Sequence, residues 1–66
     1  MSKKDEFKLR IARWRDHNRE HQQSLAEWSE KMRAEGCEDA ARAMDRAADL
    51  LGQSVAELEA ALESLS

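Results

Sequence analysis

The chain of 66 residues lacks proline and tyrosine, and it contains only two glycines and one cysteine. Without proline, little interrupts a long helix, and the two glycines, Gly36 and Gly52, are the natural places for a helix to end. A single cysteine excludes an internal disulfide, and the paired Cys and His spacings of a structural zinc site are missing as well. Small domains without such cross-links commonly gain stability by oligomerisation.

Long apolar stretches are missing too, and this shapes the expected location. No segment is apolar over the roughly 20 residues that a membrane-spanning helix needs. The first twenty residues are rich in charge, unlike a secretory signal peptide. We therefore expect a cytoplasmic protein that does not associate with membranes, with Cys37 in the reduced state.

The apolar residues that are present form two series, with members four and three residues apart in turn. This spacing places them in one stripe along an α-helix and is typical of coiled coils and helical bundles. The chain is therefore predicted to be all-α. The first series is Phe7, Ile11, Trp14, Asn18, His21, Leu25, Trp28 and Met32, and the second is Cys37, Ala41, Met44, Ala48, Leu51, Val55, Leu58, Leu62 and Leu65.

End signals divide the chain into two helices. Ser2 can cap the first helix, with Asp5 acting as a weaker capping-box partner, and Gly36 can adopt the left-handed conformation that ends it. Two helices of similar length joined by a short turn are typical of an antiparallel hairpin. We predict a single domain over residues 1–66, with helix 1 at about 3–34, a turn at 35–38 and helix 2 at about 38–65.

Gly52 leaves two interpretations of the second helix open. A glycine stop followed by a capping box from Ser54 to Glu57 would split off a third helix. The second apolar series, however, passes through Gly52 without a change of phase, and a true break usually resets the period. We therefore predict a continuous or slightly kinked helix.

The second helix also carries apolar residues outside its own series, at Ala40, Ala43, Ala47, Leu50 and Ala61. They widen the apolar stripe until it is broad enough to contact two neighbouring helices. A second copy of the hairpin covers this surface most simply, which predicts a homodimer forming a four-helix bundle. The residues predicted at the dimer or partner interface are Phe7, Trp14, His21, Trp28, Ala40, Ala47 and Leu50.

Trp14 and Trp28 occupy the first series two heptads apart. Large aromatic side chains at such positions are most often buried, so we expect them in the core, opposite the small side chains of Ala41 and Ala48. In a hairpin that does not dimerise, the same tryptophans would become anchors for a partner helix.

Two polar residues, Asn18 and His21, interrupt the first series. A buried polar residue at such a position often fixes register and oligomeric state. His21 has a second interpretation as a pH-sensitive group, because protonating a half-buried imidazole costs desolvation energy. His17, Glu20 and His21 also match the short metalloprotease pattern H-x-x-E-H, in which the two histidines bind zinc.

The remaining features of an enzyme are missing, so we predict a protein that is not an enzyme and needs no cofactor. The zinc peptidases need a further ligand and a substrate cleft from a much larger chain, and we therefore predict no metal site, with His17 and His21 as a minor alternative. No glycine-rich phosphate loop is present. Cys37 has no catalytic partner nearby in the predicted hairpin and fits a small apolar residue near the turn.

Charge is divided between the halves of the chain. Residues 1–33 contain nine Lys and Arg against six Asp and Glu, a net charge of +3, and residues 34–66 contain two against eight, a net charge of −6. Pairing within the hairpin accounts for this division, because an antiparallel turn brings opposite charges together. The predicted pairs join Lys8, Arg10 and Arg15 with Glu57, Glu59 and Glu63.

These patterns favour a small protein–protein interaction or regulatory module that acts as a homodimer, with a protein partner expected before nucleic acid. The alternative is a regulator that binds RNA or DNA through a basic face of the first helix, in a salt-dependent way. The residues of that alternative are Lys3, Lys4, Lys8, Arg10, Arg13, Arg15 and Arg19.

Overall fold

The computed structural model describes residues 2–66 and contains two α-helices, α1 (Lys3–Ala34) and α2 (Glu38–Ser64). The helices pack against each other as an antiparallel hairpin, which confirms the predicted all-α hairpin. The Cα trace measures 51 by 16 by 10 Å. Its radius of gyration of 15.2 Å exceeds the about 11 Å of a compact domain of this length. The hairpin is therefore one flat layer of two helices.

The predicted signals form both ends of α1. The hydroxyl of Ser2 accepts a hydrogen bond of 3.1 Å from the backbone amide of Asp5, which satisfies one of the unpaired donors of the first turn. At the other end, the amide of Cys37 donates to the Met32 carbonyl at 2.9 Å, as in a Schellman motif. Gly36 has a φ of +80°, the left-handed conformation that this motif needs.

Gly52 lies inside α2, which continues past it without a break. The third helix that a stop at Gly52 would have produced does not form. A Cβ atom built on Gly52 would lie 2.6 Å from Nε2 of Gln22, so the absence of a side chain lets Gln22 approach the backbone of α2. The hydroxyl of Ser54 accepts a hydrogen bond from Asn18 rather than capping a new helix.

The core is narrow and is supplied mainly by α2. Ala41, Ala48 and Val55 are its buried apolar residues, and Ser29 is the buried residue of α1. Cys37 is exposed beside the turn. The other members of the second apolar series are partly covered by α1, namely Met44, Leu51, Leu58, Leu62 and Leu65. The packing side of α2 is therefore the one that its apolar pattern predicts.

The packing side of α1 differs from the prediction. Trp14 and Trp28, expected in the core opposite Ala41 and Ala48, are 54% and 53% exposed. The reason is a rotation of α1 about its axis, which turns the residues that follow Phe7, Trp14, His21 and Trp28 towards α2. The residues of α1 that form the seam are Lys8, Ile11, Arg15, Asn18, Gln22, Leu25, Ser29 and Met32.

The rotation lets polar side chains of α1 bond to α2. Nδ2 of Asn18 donates to Oγ of Ser54 at 2.8 Å, and Oγ of Ser29 lies 3.1 Å from the Ala41 carbonyl. Ser29 is also small enough for the two backbones to approach closely. Trp28, the neighbouring residue in the sequence, is neither small nor hydrogen-bonded to α2. Half of the predicted α1 series therefore lies to one side of the seam.

Candidate interaction surface

One side of the seam is a polar edge, formed by Arg19, Ser29, Arg33, Asp45 and Glu59. Nη2 of Arg19 lies 2.6 Å from Oε1 of Glu59, and Nη2 of Arg33 lies 2.7 Å from Oδ2 of Asp45. The buried hydroxyl of Ser29 is within hydrogen-bond distance of the other oxygen of Asp45. These contacts tie the helices together through partners that a single copy supplies.

Asp45 is held in its charged form at the polar edge. The hydrogen bond from Ser29 lowers the pKa of the Asp45 carboxyl from its ordinary value, and the bond from Arg33 lowers it further. The hydrogen bond to Asp45 raises the pKa of the Arg33 guanidinium in turn, and Glu38, 3.4 Å from Nε of Arg33, adds to this effect. The side chains of Ser29, Arg33, Glu38 and Asp45 thus act as one unit.

The predicted charge pairs are not the ones that form. Glu59 pairs with Arg19 rather than with Lys8, Arg10 or Arg15. Arg10 pairs with Glu6 one turn away, and Arg15 pairs with its neighbour Asp16. The rotation of α1 explains the difference, because it brings Arg19 and Arg33 to the edge that α2 lines with carboxylates.

The other side of the seam is an open apolar face. On α1, this face is formed by Phe7, Trp14, His21 and Trp28. Each of them directly precedes a seam residue and lies about 100° round the helix from it, away from the side of Arg19 and Arg33. On α2, Met44 and Leu58 directly precede Asp45 and Glu59, so they also point away from the polar edge. The apolar face is the α1 row Phe7, Trp14, His21 and Trp28 with the α2 row Met44, Leu51, Leu58 and Leu65.

The two rows run level along the hairpin. The bond between Asn18 and Ser54 sets the register of the antiparallel helices. Trp14, four residues before Asn18, lies level with Leu58, four residues after Ser54. Trp28, ten residues after Asn18, lies level with Met44, ten residues before Ser54. Phe7 and Leu65 are matched in the same way, as are His21 and Leu51, so the face extends along nearly the whole hairpin.

The face is incompletely covered. Phe7 is 50% exposed, and His21 is exposed as well. The α2 row is only partly covered by α1. Leu50 on the flank of α2 is 63% exposed, while Ala40 is exposed and Ala47 is half-buried. All seven residues predicted at an interface therefore lie outside the core of the hairpin.

Basic side chains border the α1 row. Arg10, His17 and Lys31 each follow a member of that row by three residues, so they are its neighbours on the helix surface. Nζ of Lys31 lies 4.2 Å from the centroid of the Trp28 ring, a cation–π contact. These residues form the basic rim of the apolar face.

The basic residues of the nucleic-acid alternative surround α1 instead of sharing one face. Lys8 and Arg15 lie at the seam and are half-buried. Lys3 and Arg10 lie beside the α1 row, and Arg19 lies at the polar edge with Glu59. Lys4, seven residues before Ile11, is exposed where the seam ends, and Arg13 is exposed on the side of α1 away from α2.

His17 and His21 are in mutual contact, with ring centroids 4.7 Å apart and the rings edge to face. Among residues 2–66, no three His, Cys, Asp or Glu side chains come together as they would to hold a metal ion. The same part of the chain has no pocket on its surface. Neither described helix combines the length and the apolarity that crossing a membrane requires.

Sequence reasoning missed the polar edge. Ser29, Arg33 and Asp45 carry its hydrogen bonds, and none of them belongs to an apolar series. A signal for Ser29 was present, because Lys8, Arg15, Gln22 and Ser29 recur every seven residues just as the aromatic row does. That polar repeat marks the seam.

The fold and this surface define the chain as a small helical hairpin with an open apolar face. The chain belongs to the family described as Domain of unknown function (DUF8180), whose model matches residues 7–65. No curated protein matches it. No solved structure matches it either.

Proposed function

We propose that this protein is a non-enzymatic interaction module that acts as a homodimer, with the apolar face of each copy covered by the other. The observation that carries the proposal is the exposure of the α1 row on the side of the hairpin away from the polar edge. Large contiguous apolar patches on small domains are typical of interaction sites. The product would be a four-helix bundle.

The surface area of the hairpin supports the proposal. Its accessible surface is 4971 Å², against about 4,300 Å² for a compact monomer of this mass. The broad side of the hairpin is 51 Å long and 16 Å wide. Its area is thus close to the ~800 Å² that each partner contributes to a stable interface. Dimerisation would also supply the second layer that its narrow core lacks.

In the proposed dimer, the outward side chains of the bundle bind another protein, and the module works in the cytoplasm. Aromatic residues commonly carry the binding energy of helix interfaces, which favours a protein contact for Phe7, Trp14 and Trp28. The spread of the basic residues around α1 offers no comparable argument for nucleic acid.

A pair of matched variants tests the dimer. Trp14→Glu places a carboxylate on the apolar face, whereas Leu9→Glu places one on the opposite side of α1, where Leu9 is 47% exposed. We expect wild type and Leu9→Glu to be dimers by light scattering at about 50 µM, and Trp14→Glu to be a monomer that remains helical by circular dichroism. A monomeric wild-type protein at that concentration would contradict the proposal.

The nucleic-acid alternative is tested by titrating fluorescent single- and double-stranded RNA and DNA with the dimer. Binding through phosphates weakens steeply as salt increases, because it releases counterions. We expect no change of anisotropy at about 50 mM salt, the range where such binding is strong. Tight binding that disappears at moderate salt would favour the alternative.

A further inference from the structure

We propose that the second copy docks with its turn at the same end of the bundle, so that α1 of each copy lies on α2 of the other. The inference rests on the proposed function and specifies how the second copy occupies the apolar face. Two such faces can stack about a twofold axis in two ways. An axis along the helices places both turns at one end, and an axis across them places the turns at opposite ends.

The division of charge favours turns at the same end. The N-terminal half of the chain has a net charge of +3 and the C-terminal half has −6, from the counts of Lys, Arg, Asp and Glu given above. With turns at the same end, the positive α1 of one copy faces the negative α2 of the other. With turns at opposite ends, α1 faces α1 and α2 faces α2, so helices of like net charge lie together. Since Asp45 and Glu59 of α2 lie at the polar edge, the charges nearest the interface are those of its rims.

The rims of the apolar face show the same complementarity. The rim beside the α1 row is basic, with Arg10 and Lys31. The corresponding rim, on the outer side of α2 beside the α2 row, has no basic residue. It has an acidic one, Glu57, three residues beyond Ser54. With both turns at one end, Glu57 lies at the level between Arg10 and His17 of the second copy. With the turns at opposite ends, the basic rim of one copy instead approaches the basic rim of the other.

The sizes of the side chains lead to the same arrangement. The α1 row is bulky, whereas the flank of α2 carries a row of small residues spaced by seven, namely Ala40, Ala47, Ser54 and Ala61. Bulky residues facing small ones keep two helices evenly spaced along their length, as interdigitated layers require. When α1 faces α1, the two bulky rows meet on one side of the bundle, while the small-residue rows of the two α2 helices meet on the other.

Cys37 provides the test, because it is exposed and lies beside the turn. Turns at the same end place the two Cys37 residues one or two interhelical spacings apart, about 10–20 Å. Turns at opposite ends place them nearly the full 51 Å length of the hairpin apart. Nitroxide labels on Cys37, measured by electron paramagnetic resonance in the intact dimer, distinguish these separations.

A mixed sample gives the reciprocal reading. A second label is placed at the far end of α2 in the double variant Cys37→Ser, Ser64→Cys, since Ser64 is exposed. The mixed sample is the isolated heterodimer, in which one copy is labelled at Cys37 and the other at position 64. We expect a long distance in this sample and a short one when both copies are labelled at Cys37. Each of the two twofold arrangements therefore gives a short distance in one of the two samples.

The outcomes separate the arrangement from the proposed function. A short distance in the Cys37 sample together with a long one in the mixed sample supports the inference. A long distance in the Cys37 sample overturns it but leaves the homodimer intact. A protein that remains monomeric by light scattering contradicts the proposed function, and the arrangement fails with it.

Discussion

The polar edge and the apolar face lie on opposite sides of one seam, yet they differ in how completely a single copy satisfies them. At the polar edge, Asp45 finds a hydroxyl and a guanidinium within its own chain. On the apolar face, Trp14 and Trp28 remain about half exposed. The hairpin therefore uses directional contacts to fix which sides of its helices meet, and leaves its most apolar side available.

The largest effect is expected for a charge at the seam beside the apolar face. Leu51→Asp places a carboxylate against α1 without a partner, which costs at least about 3 kcal/mol and should unfold the hairpin. Leu50→Asp, one residue away, acts on a side chain that is 63% exposed and should keep the helical content. Circular dichroism compares the two. Equal helical content in both variants would contradict the placement of Leu51 at the seam.

Removing a hydroxyl tests the polar edge. Ser29→Ala leaves the polar edge without its buried donor, which should lower the free energy of unfolding by about 1–2 kcal/mol. Ser24→Ala on the exposed surface of α1 is the control, with an expected change within about 0.5 kcal/mol. Urea denaturation of both variants measures the difference. Similar midpoints would mean that the Ser29 bonds contribute little.

The two glycines should respond in opposite directions. Gly36→Ala forces a side chain into the left-handed conformation and should destabilise the protein by about 1 kcal/mol. Gly52→Ala removes a weak helix former, and the flexible end of Gln22 can move aside, so stability should increase by about 0.5 kcal/mol. Thermal unfolding compares them. Destabilisation by Gly52→Ala would show that the contact with Gln22 matters more than helix propensity.

Acid should weaken the polar edge. Because folding lowers the pKa of Asp45 below its ordinary value of 3.8, the native state binds fewer protons than the unfolded state. This contribution to stability is present above that value and is lost as the pH falls below it. Asp45→Asn should reduce the acid dependence of unfolding, while Asp49→Asn, an exposed neighbour, should not. Identical pH profiles for the two variants would contradict the role of Asp45.

Much of the fold follows from local signals in the sequence. Ser2, Gly36 and the uninterrupted period through Gly52 predict the helices, because caps, left-handed residues and apolar spacing act within a few residues. The side of α1 that meets α2 could not be predicted in this way. The apolar pattern shows which side of α1 is apolar, and polar contacts such as those of Asn18 and Ser29 decide which side packs. Those contacts depend on residues of α2 far away in the sequence.

Tryptophan emission across a dilution series tests the central claim most directly, because both tryptophans belong to the apolar face. We predict a blue-shifted spectrum at high concentration that moves to longer wavelength on dilution, in step with the dimer-to-monomer transition measured by sedimentation. A spectrum that stays red-shifted in a sample with dimer mass would contradict the account, because the second copy would then cover another surface.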